Sequence, residues 1–180
     1  MATDKKTEGR FLTGQVPLEK EFSGLQALRS VAGRLLHMAA RILPMYPQWR
    51  VSIHRWRGVK IGEGVFIGSD VFIDNTYPDS IVIEDYVCVT SGCFIVGHYI
   101  YPLHLRKVLG EDRPVKKGVL LQKGCYVGPR CIITDGVTIG ECAIIGAGSI
   151  VTKSIPSFSI AIGSPARVVK TFSADDVQYV

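Results

Sequence analysis

Between residues 61 and 151 the apolar positions follow neither the 3.6-residue period of a helix nor the alternation of a half-buried strand. Stepping by six from Ile61 lands on Ile67 and Ile73, from Ile83 on Val89 and Ile95, and from Leu121 on Val127, Ile133, Ile139, Ile145 and Val151. Every one is aliphatic. Four residues after most of them comes a small or β-branched residue: Val65, Val71, Val87, Cys93, Cys125, Cys131, Val137, Ala143 and Ser149. A six-residue unit that holds both positions in phase predicts a solenoid with three short sides, about 18 residues per turn, in which coil stacks on coil. The glycines that follow the aliphatic position, Gly62, Gly68, Gly128, Gly140 and Gly146, are expected to supply backbone angles closed to other residues.

The repeat breaks twice. From Ile73 to Ile83 is ten residues, an insertion of four around DNTYPDS, and from Ile95 to Leu121 is 26, an insertion of 20. The second break, GHYIYPLHLRKVLGEDRPVKKG, predicts a protruding loop near residues 98–118. Long loops on rigid scaffolds tend to carry function.

Upstream the spacing changes to three and four. Phe22, Leu25, Leu28, Val31, Leu35, Leu36, Ala39, Ile42 and Leu43 predict an amphipathic helix, opened by the capping-box pair Ser23 and Gln26 and stopped by Pro44 and Pro47. Its apolar stripe is expected to cover an open end of the prism or a neighbouring subunit, and its interspersed arginines also suit peripheral contact with an anionic membrane. The chain thus divides into a tail and helix (1–50), a β-helix domain (51–172) and a C-terminal tail (173–180).

Composition narrows the class. With 180 residues, 47% of them apolar and 21% charged, there is material for one core and little reason for disorder. Arg34, His37, Arg41, Arg50 and Arg55 interrupt the most apolar stretch, so no membrane span is expected. The polar start MATDKKTEGR shows no secretory signal, which predicts a cytoplasmic protein. Five cysteines, an odd number without C-x2-C spacing, read as small buried residues. A net charge of +5 favours anionic partners. Nucleic acid is disfavoured, because zinc-finger spacing, RNP-like aromatics and a long basic helix are all missing.

Three stretches are more specific: VGHYIYPLHLR at the second break, DGVTIGECAIIGAGSIVTKSIP, and the ending IGSPARVVK. With twelve hexapeptides in phase, the chain resembles the hexapeptide-repeat acyltransferases over roughly residues 50–172, in the branch of the maltose, galactoside, xenobiotic and polysaccharide O-acetyltransferases. That resemblance implies a mainly β fold, a left-handed parallel β-helix, assembled as a homotrimer with active sites between prisms. It implies direct acetyl transfer from acetyl-coenzyme A to a hydroxyl, without a metal. A hydroxyl needs a base to take its proton as it attacks the thioester, and imidazole has a suitable pKa. The family's base falls on His98.

By the same resemblance the coenzyme A contacts fall on Tyr126, Ala147, Thr152, Lys153, Arg167 and Lys170, the cations facing phosphates. Acceptor contacts fall on Asp74 and Asn75 at the first break, which an Asx turn explains almost as well, and on His104 and Arg106 in the loop. Pro129 departs from the family, where a residue with an N–H stands near the thioester oxygen. The acceptor expected is a sugar hydroxyl in a cell-surface polysaccharide precursor, with a hydroxylated xenobiotic or antibiotic as the alternative. A γ-type carbonic anhydrase would need three histidines around zinc, and His37, His54, His98 and His104 show no such set. A non-catalytic scaffold would have no use for the GH and VTK motifs.

Overall fold

The computed structural model of the chain describes residues 24–99 and 116–177. Ser23, His104 and Arg106 lie outside the described residues. Strands of two or three residues recur at the predicted steps. The first coil comprises β1 (Lys60–Ile61), β2 (Phe66–Ile67) and β3 (Phe72–Ile73), and the second β4 (Ile81–Ile83), β5 (Cys88–Val89) and β6 (Phe94–Ile95). The third comprises β7 (Val119–Leu121), β8 (Tyr126–Val127) and β9 (Ile132–Ile133), and the fourth β10 (Val137–Ile139), β11 (Ile144–Ile145) and β12 (Ile150–Val151). Corresponding strands pair in parallel along three sides: β1-β4-β7-β10, β2-β5-β8-β11 and β3-β6-β9-β12. The second side continues into β13 (Ser159–Gly163), which pairs antiparallel with β14 (Ala166–Thr171).

Each aliphatic position of the repeat is the last residue of its strand. Eleven of the twelve are at most 1% exposed, and Ile61, on the end coil, is partly buried. Each such side chain contributes about 1.5–3 kcal/mol by leaving water, so the axial ladder is the main source of stability. Cys93, Cys125, Cys131 and Cys142 are buried and Cys88 is half-buried, all as free thiols. Neither insertion disturbs the stacking, since Ile83 pairs with Leu121 and Ile95 with Ile133 across the second break.

The glycines after the aliphatic position serve a different purpose from the one expected. A Cβ on Gly62 would stand 2.7 Å from the backbone nitrogen of Asp85, and one on Gly140 would stand 2.3 Å from that of Ser157. Contact with the next coil selects glycine there. The left-handed backbone falls two residues later, at Gly64 and Gly124 (φ +68°) but equally at Asp70, Tyr86 and Arg130.

The N-terminal region also departs from expectation. Helix α1 (Gly24–Ile42) is present, but residues 47–57, placed at the junction with the coils, form a second helix, α2 (Pro47–Arg57). Pro47, read as a stop, occupies its first turn, where a missing N–H costs nothing. The apolar stripe of α1 does not cover the prism: Leu28, Val31, Leu35, Met38 and Ile42 are exposed, while His37 and Ala40 face inward.

Candidate active site

The first break turns on Asp74, directly after β3. Its Oδ1 accepts the backbone N–H groups of Thr76 (2.8 Å) and Tyr77 (3.0 Å), an Asx turn, and its Oδ2 accepts that of Gly97 (2.9 Å). Oδ2 also receives Nδ1 of His98. Asp74 is 1% exposed and so has no surface to offer an acceptor, contrary to the contact expected of it. Burial pushes its carboxyl up, but the donors from Tyr77, His98, Gly97 and Thr76 outweigh that and hold it below the usual carboxylate range.

An ionised Asp74 can only accept, so Nδ1 of His98 is the donor, which in the neutral imidazole leaves the lone pair on Nε2. The ring of Tyr77 meets the imidazole edge-on, with centroids 5.0 Å apart. Lys116 lies 5.0 Å from that Tyr77 ring and pairs with Asp79 at 2.7 Å.

Behind Asp74 stands Arg57 of α2, a residue without a motif to announce it. Its Nη2 is shared among the carbonyls of Ile73 (3.1 Å) and Asp74 (2.9 Å) and Oδ1 of Asn75 (2.7 Å), and its Nη1 donates to Nδ1 of His54 (2.8 Å). Burial lowers its pKa to about 10, against the favourable charge of Asp74. Nδ1 of His37 donates to the same Asn75 oxygen, and its Nε2 accepts the N–H of Ile73 at 3.4 Å. Asn75 therefore turns its carbonyl to the helices, while the residue itself is exposed. Burial, reinforced by the Arg57 charge, lowers His37 to about 4 and His54 to about 3, so both are neutral at pH 7. Among the described residues no three His, Cys, Asp or Glu side chains are grouped to hold a metal.

The other expected contacts divide between two edges of the prism. Thr152 and Lys153 follow β12 at the corner where the third side turns to the first, the same corner that carries Asp74 and His98. Tyr126 lies in β8 on the second side, Ala147 at the turn after β11, and Arg167 and Lys170 in β14, which extends the second side. All six are exposed. Lys153 and Lys170 form no ion pair among the described residues. The third side separates the two groups. Pro129 belongs with the second group, its carbonyl accepting Gly148 N–H at 2.8 Å.

Residues 118–153 match the family described as bacterial transferase hexapeptide (six repeats), and residues 58–96 match the hexapeptide repeat of succinyl-transferase. Galactoside O-acetyltransferase of Escherichia coli K12 is 31% identical over 138 residues, 76% of this chain and 62% of its own length. The chain spans 57 to 62% of the length of the first curated relatives it matches. A maltose O-acetyltransferase from Clostridium difficile 630 superposes with a TM-score of 0.61 at 26% identity, covering 84% of this chain and 90% of that one. A hexapeptide-repeat acetyltransferase from Vibrio cholerae, solved with acetyl-coenzyme A, shares the fold at 15% identity with a TM-score of 0.65, covering 92% of this chain and 98% of that one. Both segments of coil thus carry the hexapeptide repeat of bacterial transferases.

Proposed function

We propose that the chain transfers an acetyl group from acetyl-coenzyme A to a hydroxyl of a sugar, with His98 as general base. The observation that carries this reading is the buried Asp74 carboxylate, saturated with donors, that fixes the tautomer of His98 at the base of the long loop. Nε2 takes the hydroxyl proton as the oxygen attacks the thioester carbonyl. The C–S bond then breaks, and the imidazolium returns that proton to the departing sulfur. Asp74 stays ionised throughout and steadies the imidazolium. Because His98 handles only the proton, no acetyl-enzyme forms.

Exposed cations at Lys153, Arg167 and Lys170, with Thr152, suit the phosphates of coenzyme A, with Ala147 along the pantetheine and Tyr126 lining the cleft. Their division between two prism edges supports a homotrimer in which one protomer's His98 corner faces the second side of a neighbour. The galactoside and maltose O-acetyltransferases among its relatives favour a sugar acceptor, and we assign it to cell-surface polysaccharide synthesis in the cytoplasm, where five free thiols stay reduced. His104 and Arg106 of the loop remain assigned to the acceptor.

Release of coenzyme A in the presence of a panel of sugars and nucleotide sugars tests the reading. His98→Ala should retain acetyl-coenzyme A binding and lose turnover by about 100- to 10,000-fold, or about 3–5 kcal/mol of barrier. Turnover within a few-fold of wild type would refute the assignment.

A further inference from the structure

The amphipathic logic of α1 is inverted. Its inward face carries His37 and Ala40, while Leu28, Val31, Leu35, Met38 and Ile42 are each 56 to 74% exposed. At 100° per residue these five fall within an arc of about 80°, opposite the buried face. Helix α2 repeats the arrangement: Trp49 and Trp56, seven residues apart and on one face, are exposed, while Arg50, Val51 and His54 are buried. Tyr46, just before α2, is 70% exposed. Exposing aromatic and aliphatic side chains in one patch costs solubility unless something covers them.

The charge of the same segment says what covers it. From Phe22 to Gly62 there is no Asp or Glu, against six arginines and one lysine. Arg50 and Arg57 are spent on buried carbonyls, and Arg41 and Arg55 meet Asp70 and Glu63 from the coils. Arg34 is exposed at the margin of the stripe and has no partner among the described residues. Packing these helices on the same helices of a second copy would bring arginine toward arginine, with no acid in either to relieve it. An anionic lipid surface offers an apolar layer for the stripe, a headgroup layer for the tryptophans and tyrosine, and negative charge for the arginines.

We infer that α1 and α2 form a docking surface by which this protein lies on an anionic membrane. No helix among the described residues is long and apolar enough to cross one, so the contact is peripheral. The surface is independent of His98 and of the reaction assigned to it. In a trimer with parallel prisms, three such caps would face the same way and bind together.

The chain's only two tryptophans are Trp49 and Trp56, so tryptophan emission, excited selectively over the tyrosines, reports this surface alone. The full chain is mixed with vesicles of phosphatidylcholine, or of phosphatidylcholine with phosphatidylglycerol, and followed by co-sedimentation and emission wavelength. It should sediment with the anionic vesicles only, with a blue shift, and release at high salt. Leu35→Glu combined with Met38→Glu should abolish both signals while leaving acetyl transfer to a soluble acceptor unchanged. Arg34→Gln should weaken partition about fivefold. The inference is overturned if anionic vesicles neither sediment the protein nor shift its emission, and equally if the double variant alters oligomeric mass in solution, since that outcome gives the face to a second copy. Vesicle binding by a chain that transfers no acetyl group would refute the proposed function and leave this surface standing.

Discussion

The axis of the prism and the helical cap beside it are both buried, but by opposite means. Along the axis, Ile67 to Val151 form a ladder of aliphatic side chains whose only requirement is volume. In the cap, buried His37 and His54 join half-buried Arg57 and the carbonyl of exposed Asn75 in a set of polar atoms, each needing a specific partner. The first arrangement tolerates repetition. The second holds one geometry and is spent on orienting Asp74.

That difference is sharpest under substitution. Arg57→Met leaves His54 and two carbonyls without this donor, and should destabilise the protein by about 3–5 kcal/mol, since each buried acceptor left unsatisfied costs about 1–3 kcal/mol. It should also lower turnover in the fraction that remains folded, because the Asp74 turn loses its anchor. Ile133→Ala, in the ladder, should cost about 2–5 kcal/mol through its cavity while the folded fraction turns over normally. Chemical denaturation read beside kcat separates the two, and equal effects on kcat would erase the distinction.

Acid should find the cap before the prism. His37 and His54 titrate near 4 and 3 when folded and near 6.5 when unfolded. Between those values the unfolded chain binds more protons, so their contribution is full above pH 6.5 and is lost as pH falls toward 4 and 3. At pH 5 the loss is about 2 kcal/mol for each histidine. His54→Asn should flatten this slope, and Ile133→Ala should leave it as in wild type. A wild-type stability unchanged between pH 7 and 5 would mean that the pair is not buried neutral.

The smallest effect belongs to the corners. Arg130 holds a left-handed backbone (φ 58°) where Gly64 and Gly124 hold the same conformation elsewhere. Arg130→Gly relieves backbone crowding and adds unfolded-state entropy, so its thermal midpoint should correspond to a change under about 0.5 kcal/mol. A large change would show that the arginine side chain, not the corner, is what matters there.

The same contrast explains what the sequence allowed to be read. Volume repeats, so a step of six located every strand from β1 to β12, and both breaks followed from failures of that step. Partner geometry does not repeat. Arg57 stands 17 residues before Asp74, in a helix hidden behind Pro47, and no spacing rule joins them. Asp74 was visible as a polar residue at a break, but whether it faced a ligand or its own backbone depended on Gly97, 23 residues later. His98 could be singled out by motif; what fixes its tautomer could not. The glycines after the aliphatic positions answer to the neighbouring coil and not to a backbone angle, a contact between residues about 17 to 23 apart that no local pattern shows.

One contact at the base of the long insertion has a wider meaning. Gly118 N–H donates to the carbonyl of Gly97 at 3.1 Å, so the chain leaves the prism and returns to it at adjoining points. The two ends of that insertion are thus registered against each other, and doubling the length between them would cost about 0.6 kcal/mol. The second break is in effect a socket. Whatever sequence is plugged into it can change which molecule is welcomed, while the carboxylate and imidazole beside it, held from the opposite direction by the helices, stay where they are.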